Sequence, residues 1–218
     1  HGFGLWLQPI TQAHGWTRES FAMAIAVQNL SWGVFGVLAG MLADRFGGAR
    51  VLMAGAAFYA AGLAGMALST HTLAFALTAG VLLGLAQAGT TYAVVYGIIG
   101  RQIAPEKRSW AMGATAAAGS FGQFLMVPVE GGLIGGLGWQ NALLVLSATA
   151  LLIVPISLGL REPGFAAGQP RANQRSQSVA EAVREAMGHR SFLLLTAGYF
   201  VCGFQVVFIG VHMPSYLK

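Results

Sequence analysis

The stretch Gly40-Met41-Leu42-Ala43-Asp44-Arg45-Phe46-Gly47-Gly48-Ala49-Arg50 separates two apolar segments, near 20–43 and 51–70. Each segment is long enough to cross the hydrocarbon core of a bilayer, about 30 Å thick, as a single helix. The polar and glycine positions between them form a hairpin that is too short to link two domains. Two long apolar helices joined so closely predict a membrane protein.

The composition of the chain agrees with this prediction. The chain is 56% hydrophobic and only 9% charged, whereas a soluble domain carries about 25% charged residues. Further apolar segments lie near 72–100, 109–136, 139–160 and 191–217. The apolar residues before Gly15 are too few to span, so we expect an all-α membrane protein with a partial first helix followed by six transmembrane helices. Because the chain starts at His1 and stops at Lys218 after an apolar segment, we also expect a fragment of a longer protein.

Basic residues occupy alternate loops of this predicted chain. Apart from Arg18 and Lys218, they follow the second, fourth and sixth spans: Arg45, Arg50, Arg101, Lys107, Arg108, Arg161, Arg171, Arg175, Arg184 and Arg190. The positive-inside rule places these loops in the cytoplasm. The net charge of +5 is therefore a topology signal. It does not indicate a nucleic-acid partner, because the basic residues do not share one face.

The segment 162–190 is the one long polar stretch, and it predicts a cytoplasmic linker. Within it, Ser178-Val179-Ala180-Glu181 has the pattern of a capping box that opens a short amphipathic helix. The domains predicted are an amino-terminal transmembrane bundle with a truncated first helix at 1–161, this linker at 162–190, and a seventh helix at 191–218 that starts a second bundle.

The opening hairpin carries a motif made of Gly40, Leu42, Asp44, Arg45, Gly47 and Arg50. The motif resembles the signature of the major facilitator superfamily, although Ala49 stands where a basic residue is usual. The resemblance implies two six-helix bundles around a central path, with the hairpin as a gating latch between them. The partner helix of the latch would lie in the carboxy-terminal bundle, outside this chain. The alternative is a basic loop that only sets the topology.

The residue types of the hairpin suit such a latch. Gly47 and Gly48 permit a tight turn with positive φ, and Gly40 lets a neighbouring helix approach closely. Asp44 can accept charge-assisted hydrogen bonds from Arg45, from Arg50 or from a helix N-terminus. Small residues also predict close helix packing elsewhere in the spans, at Gly80, Gly84, Ala88, Gly113, Ala117 and Gly122.

A second motif lies at the start of the fifth span, where a basic pair precedes spaced small residues: Lys107, Arg108, Gly113, Gly119 and Gly122. This pattern resembles the monocarboxylate transporter and oxalate/formate antiporter branch of the superfamily. The resemblance implies a secondary transporter of a small organic anion, a mono- or dicarboxylate, in the bacterial inner membrane. It also implies alternating access without a cofactor, by proton symport or anion exchange.

Polar side chains within the spans are the candidates for binding this substrate: Gln87, Thr91, Tyr92 and Tyr96 on the fourth span, Gln8 on the first and Gln123 on the fifth. Gln87 and Thr91 are expected to share one helix face, as are Tyr92 and Tyr96. Hydroxyl and amide groups can hydrogen-bond a carboxylate without a buried charge. Weaker candidates, with interhelical hydrogen bonding as their alternative role, are Gln28, Asn29 and Gln205.

Glu130 is the acidic residue inside a span. It follows Ser109 by about 32 Å of helix, which predicts a position near the outer interface. Its role is either a proton or substrate site or a hydrated interfacial carboxylate. His212, near the outer end of the seventh span, has a similar pair of interpretations.

Other kinds of site lack their residues in the sequence. The histidines are far apart and predict no metal site, and no phosphate-binding loop or catalytic grouping is present, so we do not expect an enzyme. The single cysteine, Cys202, excludes an internal disulfide. Two alternatives to the anion transporter remain, a superfamily transporter of a drug or sugar and a non-transporting membrane sensor.

Overall fold

The computed structural model describes residues 3–160 and 179–216, and every regular element in them is a helix. The helices are α1 (Phe3–His14), α2 (Arg18–Phe46), α3 (Gly48–Leu68), α4 (Thr72–Phe75), α5 (Leu83–Gly89), α6 (Tyr92–Gln102), α7 (Pro105–Ala150), α8 (Ile153–Leu158), α9 (Val179–Gly188) and α10 (Arg190–Tyr216), with a π-helix at Ala76–Leu82 between α4 and α5. The predicted all-α fold is confirmed.

The chain divides into two compact units. Among the described residues, the larger unit holds α2 to α8 and most of α1, while α9 and α10 belong to the smaller one. A helix is present at Val179–Gly188, where the sequence predicts a short helix. The rest of the predicted linker, including the capping residue Ser178, lies outside the described residues. The domain boundaries therefore stay predictions.

Four apolar segments of the described chain are long enough to cross a membrane: Arg18–Phe46, Gly48–Leu68, Thr72–Gln102 and Pro105–Leu158. The last segment contains 54 residues, which is about 80 Å of helix at 1.5 Å per residue and more than twice the thickness of a bilayer core. It is divided at Gly138, whose φ of 77° and ψ of 162° are not helical. The fifth and sixth spans are therefore separate helices, as the sequence predicts.

Glycines with positive φ make the turns at three ends of spans. Gly15 follows α1 with a φ of 65°, Gly47 joins α2 to α3 with a φ of 95°, and Gly138 separates the fifth and sixth spans. A residue with a Cβ is strained in this region of the backbone map. The expectation of a positive φ at Gly48 is wrong, because this residue is already the first helical residue of α3.

The fourth span packs against both α2 and α3 through residues without side chains. A Cβ at Gly84 would lie 2.8 Å from the carbonyl oxygen of Gln28 in α2. On the other side, Gly89 faces Gly55 of α3, where an added Cβ would lie 3.0 Å from the Gly55 Cα. Such close backbone contact is how membrane helices gain packing energy when water does not drive them together.

The predicted small-residue positions differ in whether another helix packs against them. Gly80 lies so close to α2 that an added Cβ would be 3.2 Å from the Ala24 carbonyl oxygen and 3.1 Å from Val27 Cβ. Ala88 is fully buried. Close packing is therefore confirmed along the fourth span. In contrast, no atom of the described chain lies within 4 Å of a Cβ placed at Gly113 or Gly122. No helix of the described residues approaches these two glycines, so their close approach to another helix stays a prediction.

The fourth span is interrupted in its middle. After the π-helix and α5, the chain leaves the helical conformation at Thr90 and Thr91, where Thr91 has a φ of −73° and a ψ of 161°. The span then resumes as α6. The prediction that Gln87 and Thr91 share a helix face is wrong, since the helix that carries Gln87 ends at Gly89.

The sixth span lies along α3 and is tied to it by side-chain hydrogen bonds. Ser147 Oγ donates to the carbonyl of Ala60 over 2.8 Å, and Gln140 Nε2 donates to the carbonyl of Ala67 over 3.4 Å. The Ala60 carbonyl already accepts within α3, so its bond uses the second lone pair. The Ala67 carbonyl lies in the last turn of α3, where it has no acceptor role within the helix, and the Gln140 amide satisfies it. The two hydrogen bonds fix the sixth span on the face of α3.

An aromatic cluster closes the end of the bundle that is predicted to face outward. His14 stacks on Trp16 with ring centroids 4.4 Å apart, and it meets the edge of Trp139 at 5.3 Å. Trp16 also contacts Phe75, which is 5.4 Å away between ring centroids. The cluster therefore joins the loop after α1 to the fourth and sixth spans.

We predict that Gly84→Ala lowers the free energy of unfolding by about 1–3 kcal/mol, because the new methyl group would press on backbone atoms that cannot move aside. Thermal unfolding of the purified protein in detergent measures this change. The matched control is Gly33→Ala, because a Cβ at Gly33 meets no atom within 4 Å. Equal stability of the two variants would contradict the packing described.

Candidate functional site

The hairpin between α2 and α3 lies at the end of the bundle predicted to be cytoplasmic. Gly47 ends α2, and its backbone N–H donates to the Ala43 carbonyl over 3.0 Å. Its positive φ turns the chain so sharply that α3 begins with the next residue, Gly48. The motif therefore occupies the last turn of α2 and the first turn of α3.

Asp44 pairs with a residue from a different loop. Arg101 Nη1 donates to Asp44 Oδ1 over 3.3 Å, whereas Arg45 and Arg50 are the arginine partners expected from the sequence. The Arg101 side chain is 16% exposed and that of Asp44 is 67% exposed. An ion pair this open to solvent contributes only about 0–1 kcal/mol to stability, so its importance is positional. It connects the hairpin to the end of the fourth span.

The glycine at the start of α3 makes room for this connection. A Cβ at Gly48 would lie 2.7 Å from Ile98 Cδ1 and 3.2 Å from Arg101 Nη2. Below the ion pair, Ile98 packs with Ala43, Leu52 and Val94 in a buried apolar cluster. Sequence reasoning counted Arg101 only as a topology signal, and nothing in its local sequence indicated Asp44 as its partner.

The other motif residues of the hairpin lie apart from this pair. The guanidinium of Arg45 lies over the Phe46 ring, 5.3 Å from its centroid, and Arg50 is exposed. No atom of the described chain lies within 4 Å of a Cβ placed at Gly40. The role of Gly40 as a contact point for another helix stays a prediction.

Two residues of the fifth-span motif contact the two ends of α6, the second half of the fourth span. Arg108 Nε donates to the Ile103 carbonyl over 2.9 Å, which satisfies a free carbonyl beyond the end of α6. Gly119 accommodates Tyr92, whose Cζ atom would be 2.9 Å from an added Cβ. Lys107 is exposed.

Tyr92 and Tyr96 lie together just after the interruption of the fourth span. Their rings stack with centroids 5.6 Å apart and an interplanar angle of 30°, so the prediction that they share a face is confirmed. Tyr92 is the first residue of α6 and is 41% exposed. Thr91 precedes it, and the Thr91 hydroxyl donates to the Ala88 carbonyl over 3.2 Å.

A central polar cluster lies deeper in the bundle, and we define it as Trp6, Tyr59, Gln87 and Glu130. The indole N–H of Trp6 donates to Glu130 Oε2 over 3.1 Å. The Tyr59 hydroxyl interacts electrostatically with the Gln87 amide and with the Glu130 carboxylate. The cluster thus links α1, α3, the fourth span and the fifth span.

Sequence reasoning found part of this cluster and missed the rest. The sequence indicates Gln87 and Glu130 as candidates, but it does not indicate Trp6 or Tyr59. Their polar groups are single atoms on large apolar rings, which composition alone cannot separate from packing residues.

The remaining candidates are dispersed. Gln8 is half-buried on α1, and Gln123 is exposed on the fifth span. Gln28 is 3% exposed, and its Nε2 has no hydrogen-bond partner within the described residues. Asn29 Nδ2 donates to the Ile25 carbonyl of its own helix over 2.9 Å, so its bond is local. Gln205 lies on α10, in the smaller unit.

We predict that Gly119→Ala destabilises the protein by about 1–3 kcal/mol, because the added methyl group would overlap Tyr92. Removal of the Tyr92 hydroxyl in the double variant Gly119→Ala/Tyr92→Phe should recover part of this loss. Thermal unfolding measures both effects, with Gly122→Ala as the control on the same helix. A Gly119→Ala protein as stable as the control would show that the two residues do not meet.

Comparison with known proteins gives one positive result. A family model described as Major Facilitator Superfamily matches residues 2–218. The search of curated proteins gives no match. The family match covers almost the whole chain and agrees with the all-α fold and its four long apolar segments. The chain therefore belongs to the Major Facilitator Superfamily, whose members are secondary transporters embedded in membranes.

Proposed function

We propose that this chain belongs to a secondary transporter that moves a small organic anion, a mono- or dicarboxylate, by alternating access. Secondary transport in general follows from the family. The anionic substrate is our proposal, and the interruption of the fourth span at Thr90 and Thr91 is the observation that carries it.

An interrupted span supplies what an anion needs inside a membrane. Substrate sites of secondary transporters are often formed by discontinuous helices whose half-helix N-termini point at anionic groups. The first N–H groups of α6 have no partner within their own helix, and the Thr91 side chain does not cap them. These N–H groups lie at the start of α6, about 15 Å of helix from its end at Gln102. That distance is close to half the thickness of a bilayer core.

The aromatic hydroxyls beside the interruption add donors of the right kind. Tyr92 and Tyr96 stack on one face of α6, and a phenol can donate to a carboxylate without bringing a second charge into the membrane. The contact of Tyr92 with Gly119 connects these hydroxyls to the fifth-span motif. That motif carries the resemblance to the monocarboxylate transporter and oxalate/formate antiporter branch, and the same resemblance supports a place in the bacterial inner membrane.

The hairpin supports the alternating-access part of the proposal. The ion pair of Asp44 with Arg101 attaches the hairpin to the end of α6 that lies opposite Tyr92. A shift of α6 upon binding at its first turn would therefore be transmitted to Asp44. Because an exposed ion pair is weak, it can break and form again during each transport cycle.

Counterflow in proteoliposomes tests the substrate class. The intact transporter is loaded with one unlabelled carboxylate, and uptake of labelled carboxylate is measured against a panel of competitors. We expect mono- or dicarboxylates to compete and neutral sugars or cationic drugs to have no effect. Competition by a sugar or drug alone would assign another solute, and binding of a carboxylate without counterflow would indicate a sensor.

We predict that Asp44→Asn slows transport while leaving membrane insertion intact, because the neutral amide loses the charge of the ion pair but keeps the shape of the side chain. Arg101→Gln should have a similar effect, and the double variant should be no slower than either single one. Uptake rates normalised to the amount of inserted protein measure this.

The matched control is Arg18→Gln, which removes an exposed basic residue outside the hairpin and the ion pair. Uptake by Asp44→Asn at the rate of the unmodified transporter would remove the latch from the proposal. Additive losses in the double variant would show that Asp44 and Arg101 act separately.

A further inference from the structure

We propose that the π-helix at Ala76–Leu82 is a register switch in the fourth span. The switch acts on the outer aromatic cluster, which we define as the rings of His14, Trp16, Phe21, Phe75 and Trp139. Conversion of the π-helix into an ordinary α-helix turns Phe75 out of this cluster and releases the loop after α1 from the fourth span. The proposal concerns a movement of the bundle and goes beyond the choice of solute.

The π-helix contains about one residue more than an α-helix in its place would. Its hydrogen bonds join residues five apart, as from the Leu83 N–H to the Thr78 carbonyl, whereas those of an α-helix join residues four apart. Such segments are rare, and they occur frequently at functional sites. When the surplus residue is taken into an α-helix, one end of the span turns against the other by about 100° and moves by about 1.5 Å.

Glycine makes room for the wide turn beside both neighbouring helices. Toward α2, a Cβ at Gly80 would lie 3.1 Å from Val27 Cβ. Toward α3, a Cβ at Gly65 would lie 3.1 Å from Thr78 Cβ. A side chain at either glycine would push a neighbouring helix away from the π-helix. The packing of the bundle therefore accommodates the wide turn.

The hydroxyl group of Thr78 stabilises the observed register at the junction of α4 and the π-helix. Its Oγ1 donates to the Ala74 carbonyl over 2.9 Å and lies 3.2 Å from the Phe75 carbonyl oxygen. It also lies 3.4 Å from the Ser69 hydroxyl, just after the end of α3. One hydroxyl group thus connects the last residues of α4 to the π-helix and to the end of α3.

The part of the span that follows the π-helix is held too tightly to turn. An added Cβ at Gly84 would lie 2.8 Å from the Gln28 carbonyl oxygen. One at Gly89 would lie 3.0 Å from the Gly55 Cα, so neither contact leaves room for a side chain to pass. The part that precedes the π-helix, α4, has four residues, and its Leu73 is 72% exposed. A change of register therefore moves α4 and leaves α5 in place.

Phe75 is the residue of α4 that such a turn displaces. It is 1% exposed, and its ring centroid lies 5.4 Å from that of Trp16 and 5.8 Å from that of Phe21. Its neighbours in the chain are Ala74 and Ala76, so a shift by one residue in either direction puts a methyl group where the ring was. The outer aromatic cluster then loses its contact with the fourth span.

Fluorine NMR of the intact transporter in detergent tests the switch. A 4-fluorophenylalanine residue placed at position 75 keeps the ring and reports its surroundings. We expect two resonances, a main one from the ring within the cluster and a weaker one that a soluble paramagnetic reagent broadens. A single resonance that the reagent leaves sharp would overturn the proposal. No substrate is needed, so the outcome is independent of the counterflow result.

Thr78→Val removes the hydroxyl group and keeps the shape of the side chain. It should raise the ratio of the weaker resonance to the main one by about two- to tenfold, the effect of losing one net hydrogen bond. The matched control is Thr115→Val, because the Thr115 hydroxyl donates to the carbonyl four residues before it in the α-helical fifth span. Equal ratios in the two variants would contradict the role of Thr78 and overturn the switch.

Deletion of Leu77, an exposed residue of the π-helix, removes the surplus residue. The span should then run as an α-helix from α4 into α5, with the main resonance alone and no loss of thermal stability. The matched control is deletion of Leu85 from α5, which should lower the melting temperature because Gly84 and Gly89 can no longer both keep their contacts. An equal loss of stability in the two deletions would overturn the proposal, as would a weaker resonance that persists without Leu77.

Discussion

Backbone contact between the fourth span and its two neighbours is the constraint on which the rest of the bundle depends. Helices in a bilayer gain little from excluding water from each other, so they associate where small residues allow dense packing. Here Gly84 lies against α2 and Gly89 against Gly55 of α3. A side chain at any of these positions would push the helices apart and displace everything that the fourth span carries.

The candidate site follows from that fixed position. The fourth span is held firmly up to Gly89, and its helix is interrupted at the next two residues. Beyond the interruption, α6 carries Tyr92 at one end and Arg101 in its last turn, where Arg101 pairs with Asp44. The substrate candidates Tyr92 and Tyr96 therefore lie toward one end of this short helix, and the hairpin contacts its other end. This arrangement gives a physical route between the proposed binding and gating.

Few charged residues lie in this bundle, and the Asp44–Arg101 pair and Glu130 lie in different environments. The ion pair of Asp44 and Arg101 is partly exposed to solvent, where its strength is small and its formation is reversible. Glu130 is partly buried and accepts a hydrogen bond from the Trp6 indole N–H. The first arrangement suits a contact that opens and closes.

Much of the fold was determined by the sequence alone. Apolar length, alternating basic loops and turn glycines are local signals, because each depends on residues close together in the chain. They predicted the spans, the turn at Gly47 and the family motif. The interruption at Thr90 and Thr91 was missed, because the apolar sequence continues through it. The partners of the charged residues were decided by the tertiary structure, since Asp44 and Arg101 are 57 positions apart and Trp6 and Glu130 are 124 apart. No local pattern encodes such pairs, because they exist only after the glycine contacts have set the spacing and rotation of the helices.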